Sequence, residues 1–212
     1  MWNFENLEPA MADDLEIEAR PEERSYGRTP DGSFGDGKGR VEFVERGEKW
    51  AIRHRNYSVK ASSTLAPTPE SIGKRSYDAS LVKEGSGQMG AWSEGAKGPG
   101  IGEWLELTPE VPKPLSAINL MPGYTMTPEL FAANARPRKI LVELNGEQRF
   151  HAEIPDAPEW ARIPVSGYTK PVKTIRLTFE DVWKGSKYED LCVSGVSLDV
   201  KVDKKPKIQP SR

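Results

Sequence analysis

Apolar and polar residues alternate in several short stretches between Trp50 and Val202. Trp50, Ile52 and His54 interleave with Ala51, Arg53 and Arg55, the period of a half-buried strand. Ile175, Leu177 and Phe179 interleave with Thr174, Arg176 and Thr178 in a strand expected from Val172 to Phe179. Val196, Leu198, Val200 and Val202 mark a last one. The clearest hairpin is Ile140 to Leu144, then Asn145-Gly146, then Gln148 to Ile154. Asn-Gly supplies the two positive-φ residues of a type I′ turn. On the second arm Phe150, Ala152 and Ile154 share one face, and Arg149, His151 and Glu153 the other. The one good helix start is Thr127-Pro128-Glu129, with Thr as N-cap and Pro at the first helical position. Pro137 limits that helix to little more than Pro128 to Ala133. Many short strands separated by turn signals predict an all-β sandwich rather than an α/β fold.

Composition divides the chain into three regions. Residues 1–40 form an acidic, then glycine-rich arm: Glu5, Glu8, Asp13, Asp14, Glu16, Glu18, Glu22 and Glu23 face only Arg20 and Arg24. Trp2, Phe4, Leu7 and Met11 give it a helix-like apolar spacing. Residues 41–202 are the sandwich domain. Residues 203–212, with Lys204, Lys205 and Lys207, read as a solvated basic tail. Glycine (19) and proline (18) are plentiful, which favours turns over long helices. The net charge of −2 argues against a nucleic-acid binder, and no apolar run is long enough to span a membrane. A lone Cys192 leaves no intramolecular disulfide and no multi-cysteine metal site. Met1-Trp2-Asn3-Phe4-Glu5 has neither the basic nor the apolar part of a secretory signal, which favours the cytoplasm.

Candidate chemistry is sparse, and no catalytic residue is expected. Gly85-Ser86-Gly87-Gln88-Met89-Gly90 matches a dinucleotide fingerprint, but Ala91-Trp92-Ser93-Glu94-Gly95 opens no helix to receive a pyrophosphate. Gly32 to Lys38 resembles a P-loop but lacks the following hydroxyl. His54 and His151 sit on predicted strands without a nucleophile elbow or a zinc motif. Glu94 and Glu103 would suit a glycosidase pair, yet both lie in glycine-rich loops where backbone hydrogen bonding is the simpler role. Trp92 and Trp104 are expected in the core, and Tyr124 and Trp183 on exposed loops where a flat ring could stack on a sugar.

Several of these residues recur in a fixed order. Ala61 to Pro67 is followed by Tyr77, Ala91-Trp92-Ser93-Glu94-Gly95, Gly100-Ile101-Gly102-Glu103-Trp104 and Gly123-Tyr124. Asn134-Ala135-Arg136-Pro137, Asp181-Val182-Trp183-Lys184-Gly185 and Tyr188-Glu189-Asp190 complete the series. From about Tyr57 to Val202 this order resembles the discoidin-like domain known as the NADase-type glycan-binding or translocation domain. The resemblance implies a galactose-binding-like jelly roll with a non-catalytic role, often in bacterial surface or secreted proteins. The catalytic domain of the toxin that names the family has no counterpart here. The implied ligand residues are Tyr124, Asn134, Arg136 and Trp183; Trp92, Glu94, Gly100, Gly102, Glu103 and Trp104 are loop motifs, and Arg136 and Glu94 would make a packed ion pair. The family's acidic loop is replaced by Val82 to Trp92, which is poor in carboxylates, so neither a calcium site nor any cofactor is expected. The expected partner is a glycan; the alternative is a structural or adaptor subunit that contacts other proteins through its sandwich and charged arms.

Overall fold

The computed structural model describes residues 16–19, 34–35, 41–46, 49–67, 77–83, 85, 90–202 and 207–210. In chain order the strands are β1 (Glu16–Ala19), β2 (Phe34–Gly35), β3 (Val41–Arg46), β4 (Lys49–His54), β5 (Tyr57–Ala61), β6 (Trp92–Ser93) and β7 (Trp104–Pro109). They continue as β8 (Leu115–Pro122), β9 (Arg136–Leu144), β10 (Gln148–Glu153), β11 (Ala161–Pro164), β12 (Ile175–Trp183), β13 (Cys192–Val202) and β14 (Lys207–Pro210). A 3₁₀ turn covers Ala79–Lys83 and the short helix α1 covers Pro128–Ala133.

Two antiparallel sheets form the sandwich. The first runs β10-β9-β12-β7-β5 and the second β11-β8-β13-β4-β3-β2, with β6 paired to the start of β13. β1 and β14 pair in parallel as a separate two-stranded sheet, Glu16 opposite Lys207. The helix-like spacing at Trp2 to Met11 lies outside the described residues, as does the P-loop-like stretch from Gly32 to Lys38 apart from Phe34–Gly35 of β2.

The expected alternations turn their apolar faces inward. Ile175, Leu177 and Phe179 of β12 face Ile140, Val142 and Leu144 of β9 in a sealed core. Trp92 stacks on Phe179 with ring centroids 5.6 Å apart, and its indole N–H donates to Ser63 O at 3.0 Å. Burying a phenylalanine of this kind contributes roughly 2–3 kcal/mol. The hairpin turns at Asn145 (φ 52°) and Gly146 (φ 68°), as the Asn-Gly pair requires. Glu147 N closes the turn on Leu144 O. Thr127 Oγ1 accepts Leu130 N and caps α1, which ends at Asn134.

One expectation is corrected. Trp104 is not core: it lies half-buried on the outer face of the first sheet, with the Arg176 guanidinium 4.1 Å from its ring centre. Its register partner Thr178 sits on the polar side of β12, and that parity carries the indole outward. The outer face of the second sheet is also partly covered. Ala51, Ser197 and Asp199, which point away from the core, are buried as well. Arg53 lies over Asp199 with Nε–Oδ1 at 2.8 Å, and Asn119 Nδ2 donates to the same carboxylate oxygen at 2.9 Å. A carboxylate can be sealed on a sheet's outer face when charged and amide donors cover it.

Candidate functional site

Antiparallel pairing brings the strand ends carrying the family motifs to one end of the sandwich. Trp183 of β12 is opposite Arg136 of β9, Cys192 of β13 opposite Ser93 of β6, and Met121 of β8 opposite Gly195 of β13. The loops at 94–103, 123–135, 154–160 and 184–191 all leave from this end. Backbone hydrogen bonds tie three of them together: Glu94 N to Leu191 O, Ala135 N to Asp190 O and Tyr188 N to Ala133 O. Gly185 permits the last contact, because a Cβ there would fall 2.3 Å from Ala133 O and 2.4 Å from Tyr188 O.

Arg136 stands at the centre of these loops. Nε and Nη2 grip Asp156 at 2.5 and 2.8 Å, while Nη1 donates to Asn134 O and Lys184 O at 3.2 and 3.3 Å. The Phe131 ring lies 4.8 Å from its guanidinium carbon. Its partner is therefore Asp156, not Glu94, and the expected Arg136–Glu94 pair does not form. Sequence offered no direct signal for Asp156, which lies 20 residues away in a different loop.

Of the four expected ligand residues, the structure brings Asn134, Arg136 and Trp183 together and turns Tyr124 away. Tyr124 is 4% exposed and packs with Ala91 and Cys192. It therefore offers no open ring, because the loop after β8 folds down between β6 and α1 rather than standing out. Asn134 is buried too, and its Nδ2 donates to Leu130 O at the end of α1. Trp183 keeps a partly open ring. Its indole N–H donates to Ile154 O at 2.9 Å, and Arg138, itself paired with Asp181 at 3.4 Å, sits 4.7 Å from the ring centre. Among the described residues Tyr188, present in the motif series but not marked as a ligand residue, is the aromatic that stands out, at 41% exposed, with Lys187 Nζ 4.9 Å from its ring.

The loop motifs serve packing. Glu94 is fully buried and accepts Ala96 N and Leu191 N at 2.6 and 3.4 Å; burial raises its pKa above the ordinary carboxylate range. A sealed carboxylate cannot reach a glycosidic oxygen, so Glu94 and Glu103 do not form a glycosidase pair. Glu103 accepts the Ser62 and Ser63 hydroxyls. Gly100 (φ 73°) leaves no room for a side chain beside Leu191 and Glu94. Cys192 is buried against Ser93 Oγ, and burial pushes its thiol up to about 12. His54 is buried, whereas His151 is exposed beside Glu180 at 3.2 Å. Among the described residues, no cluster of three His, Cys, Asp or Glu groups is placed to hold a metal ion, and no helix is long and apolar enough to cross a membrane. Residues 86–89 of the dinucleotide-like segment lie outside the described residues; after Gly90 the chain enters β6, not a helix.

The chain is similar to several solved structures. The arabinofuranosyltransferase AftD from Mycobacteria matches with a TM-score of 0.50 at 12% identity, over 72% of this chain and 12% of that one. The chain thus spans about an eighth of that enzyme's length. The family 32 carbohydrate-binding module of C. perfringens NanJ, solved with galactose, matches with a TM-score of 0.46 at 10% identity, over 68% of this chain and 93% of that one. The C-terminal domain of a chitobiase from Bacteroides fragilis gives 0.47 at 12% identity, over 71% and 99%. No curated protein matches the chain. The family described as the NAD glycohydrolase translocation F5/8 type C domain matches residues 53–199, more than half the chain, and the ordered loop motifs are held at one end of a two-sheet sandwich. The chain belongs to that family of discoidin-like domains.

Proposed function

We propose that the loop end is a non-catalytic carbohydrate-recognition surface, with Trp183 and Tyr188 as the ring platforms. The observation that carries this reading is the Trp183 indole. Its N–H is pinned to Ile154 O, its ring remains partly open, and Arg138 and Asp181 stand beside it. A fixed apolar ring face beside charged hydrogen-bonding groups suits the C–H face and hydroxyls of a sugar. In this reading Arg136 and Asn134 frame the surface by fixing the loops, and Tyr124 supports it from beneath. Lys184 and Lys187 add donors at the rim.

The test is a glycan array followed by titration of the best hit. Trp183→Ala and Tyr188→Ala should each weaken binding about tenfold or more, and Tyr188→Ala should do so with little change in melting temperature. Absence of binding across a broad array would overturn the reading.

A second reading, an adaptor subunit, is favoured by the charged outer face of the first sheet, where Glu106, Arg176, Glu143 and Arg149 alternate in sign across neighbouring strands. Deleting residues 1–24 would then remove a co-purifying partner while the sandwich stays folded; an unchanged partner profile would sink it.

A further inference from the structure

Strand β10 ends the first sheet, and its outer side is paired with no strand among the described residues. Ile154 N donates to Arg138 O at 2.7 Å, continuing the register in which Ala152 faces Ile140 and Phe150 faces Val142. Hydrogen-bonded pairs alternate along an antiparallel ladder. Phe150, Ala152 and Ile154 therefore turn their backbone groups to β9, and Arg149, His151 and Glu153 turn theirs outward. The side chains of Arg149 and His151 are 65% and 54% exposed, so this edge is open.

The charges along the edge are ordered. Arg176 Nη2 meets Glu106 at 2.9 Å, Glu143 stands opposite Arg176, and Arg149 Nε meets Glu143 at 2.5 Å. The alternating row thus reaches the edge on a cation. Two residues on, the edge carries the anion Glu153, whose cross-strand neighbour Lys139 is engaged by Glu180 at 3.2 Å.

We propose that β10 pairs antiparallel with β10 of a second copy of this chain, about a two-fold axis at His151. Arg149 then lies opposite Glu153 of the second copy, and Glu153 opposite its Arg149. His151 meets its own counterpart, and the two five-stranded sheets become continuous. The alternating row carries on across the axis, Arg149 lying between Glu143 and the second copy's Glu153. Backbone parity allows only registers that pair odd-numbered residues, and charge chooses among them. An axis at Phe150 would set Glu153 against Glu147, two like charges, while one at Ala152 would run Arg149 out against Pro155. Charged residues on an edge strand commonly prevent pairing, but they do so when like charges meet, and here the two-fold axis brings opposite charges together. This inference does not rest on the carbohydrate reading.

Sedimentation equilibrium on the full chain tests it. The contact is short, so dimerisation is expected with a Kd of roughly 10 μM to 1 mM. Glu153→Arg gives an edge with two cations, and Arg149→Glu an edge with two anions. Each substitution should weaken self-association by roughly tenfold, and an equimolar mixture should associate again as a heterodimer. Both sites are exposed, and far-UV circular dichroism checks that each variant is folded. Wild-type protein that stays monomeric to about 1 mM, variants that associate like wild type, or a mixture that fails to associate would each overturn the proposal.

Discussion

Arg136 and Asp156 meet through two parallel contacts, Nε to Oδ1 at 2.5 Å and Nη2 to Oδ2 at 2.8 Å, and so join the start of β9 to the loop between β10 and β11. The arginine side chain is 11% exposed and the aspartate 37%. Removing the aspartate leaves a nearly buried guanidinium without its anion, a loss tempered by solvent on the Asp156 side. Asp156→Ala is expected to cost about 2 kcal/mol in urea unfolding, and Arg136→Lys to lose part of the same energy because an ammonium cannot make the paired contact.

The Asp199 carboxylate is a stricter case, since it has no exposed surface and depends on Arg53 and Asn119. Asp199→Ala removes the anion that Arg53 Nε and Asn119 Nδ2 share beneath the outer face of β13. A loss of about 3 kcal/mol is expected, with Asn119→Ala costing less. Chemical denaturation of both single variants and the double variant measures the coupling.

His54 sets an acid limit. Burial lowers its pKa from 6.5 to about 4, against an opposing pull from Asp199, and its Nδ1 accepts Asn56 N. Above pH 6.5 the ring is neutral in both folded and unfolded chains. Below it the unfolded chain takes up a proton that the folded chain refuses, so stability falls as pH drops from 6.5 towards 4, by up to about 3 kcal/mol. Stability curves at pH 7 and pH 4.5 should differ less in His54→Phe, once other acid-titrating groups common to both proteins are subtracted.

Asn145 has two jobs in the hairpin. Besides its positive φ, its Oδ1 accepts Lys173 N and Thr174 N at 2.7 and 3.0 Å, and its Nδ2 donates to Tyr168 Oη and Pro171 O. Gly146→Ala disturbs only the turn and is expected to cost about 1 kcal/mol. Asn145→Ala also frees the loop before β12 and should cost about 2 kcal/mol, with faster amide exchange at Lys173 and Thr174.

Tyr124 and Tyr188 separate packing from recognition. Tyr124→Ala opens a cavity beside Cys192 and should lower stability by about 3 kcal/mol. Tyr188→Ala should leave stability within about 0.5 kcal/mol and act on binding alone. Thermal melts read beside titrations distinguish the two.

Local rules made much of this protein legible in its sequence. Period-two alternation marked the inward faces of β9, β10 and β12, Asn145-Gly146 marked the turn, and Thr127-Pro128 marked the helix, because each depends on neighbours in the chain. The ordered motifs marked the family for the same reason. Tertiary structure alone decided which partners met across the fold. It paired Arg136 with Asp156 rather than Glu94, buried Tyr124, left Tyr188 standing out, and set Trp104 outside. Those outcomes depend on strand register and on which loops share an end, and side-chain alternation within one strand carries no information about the segment that will lie against it.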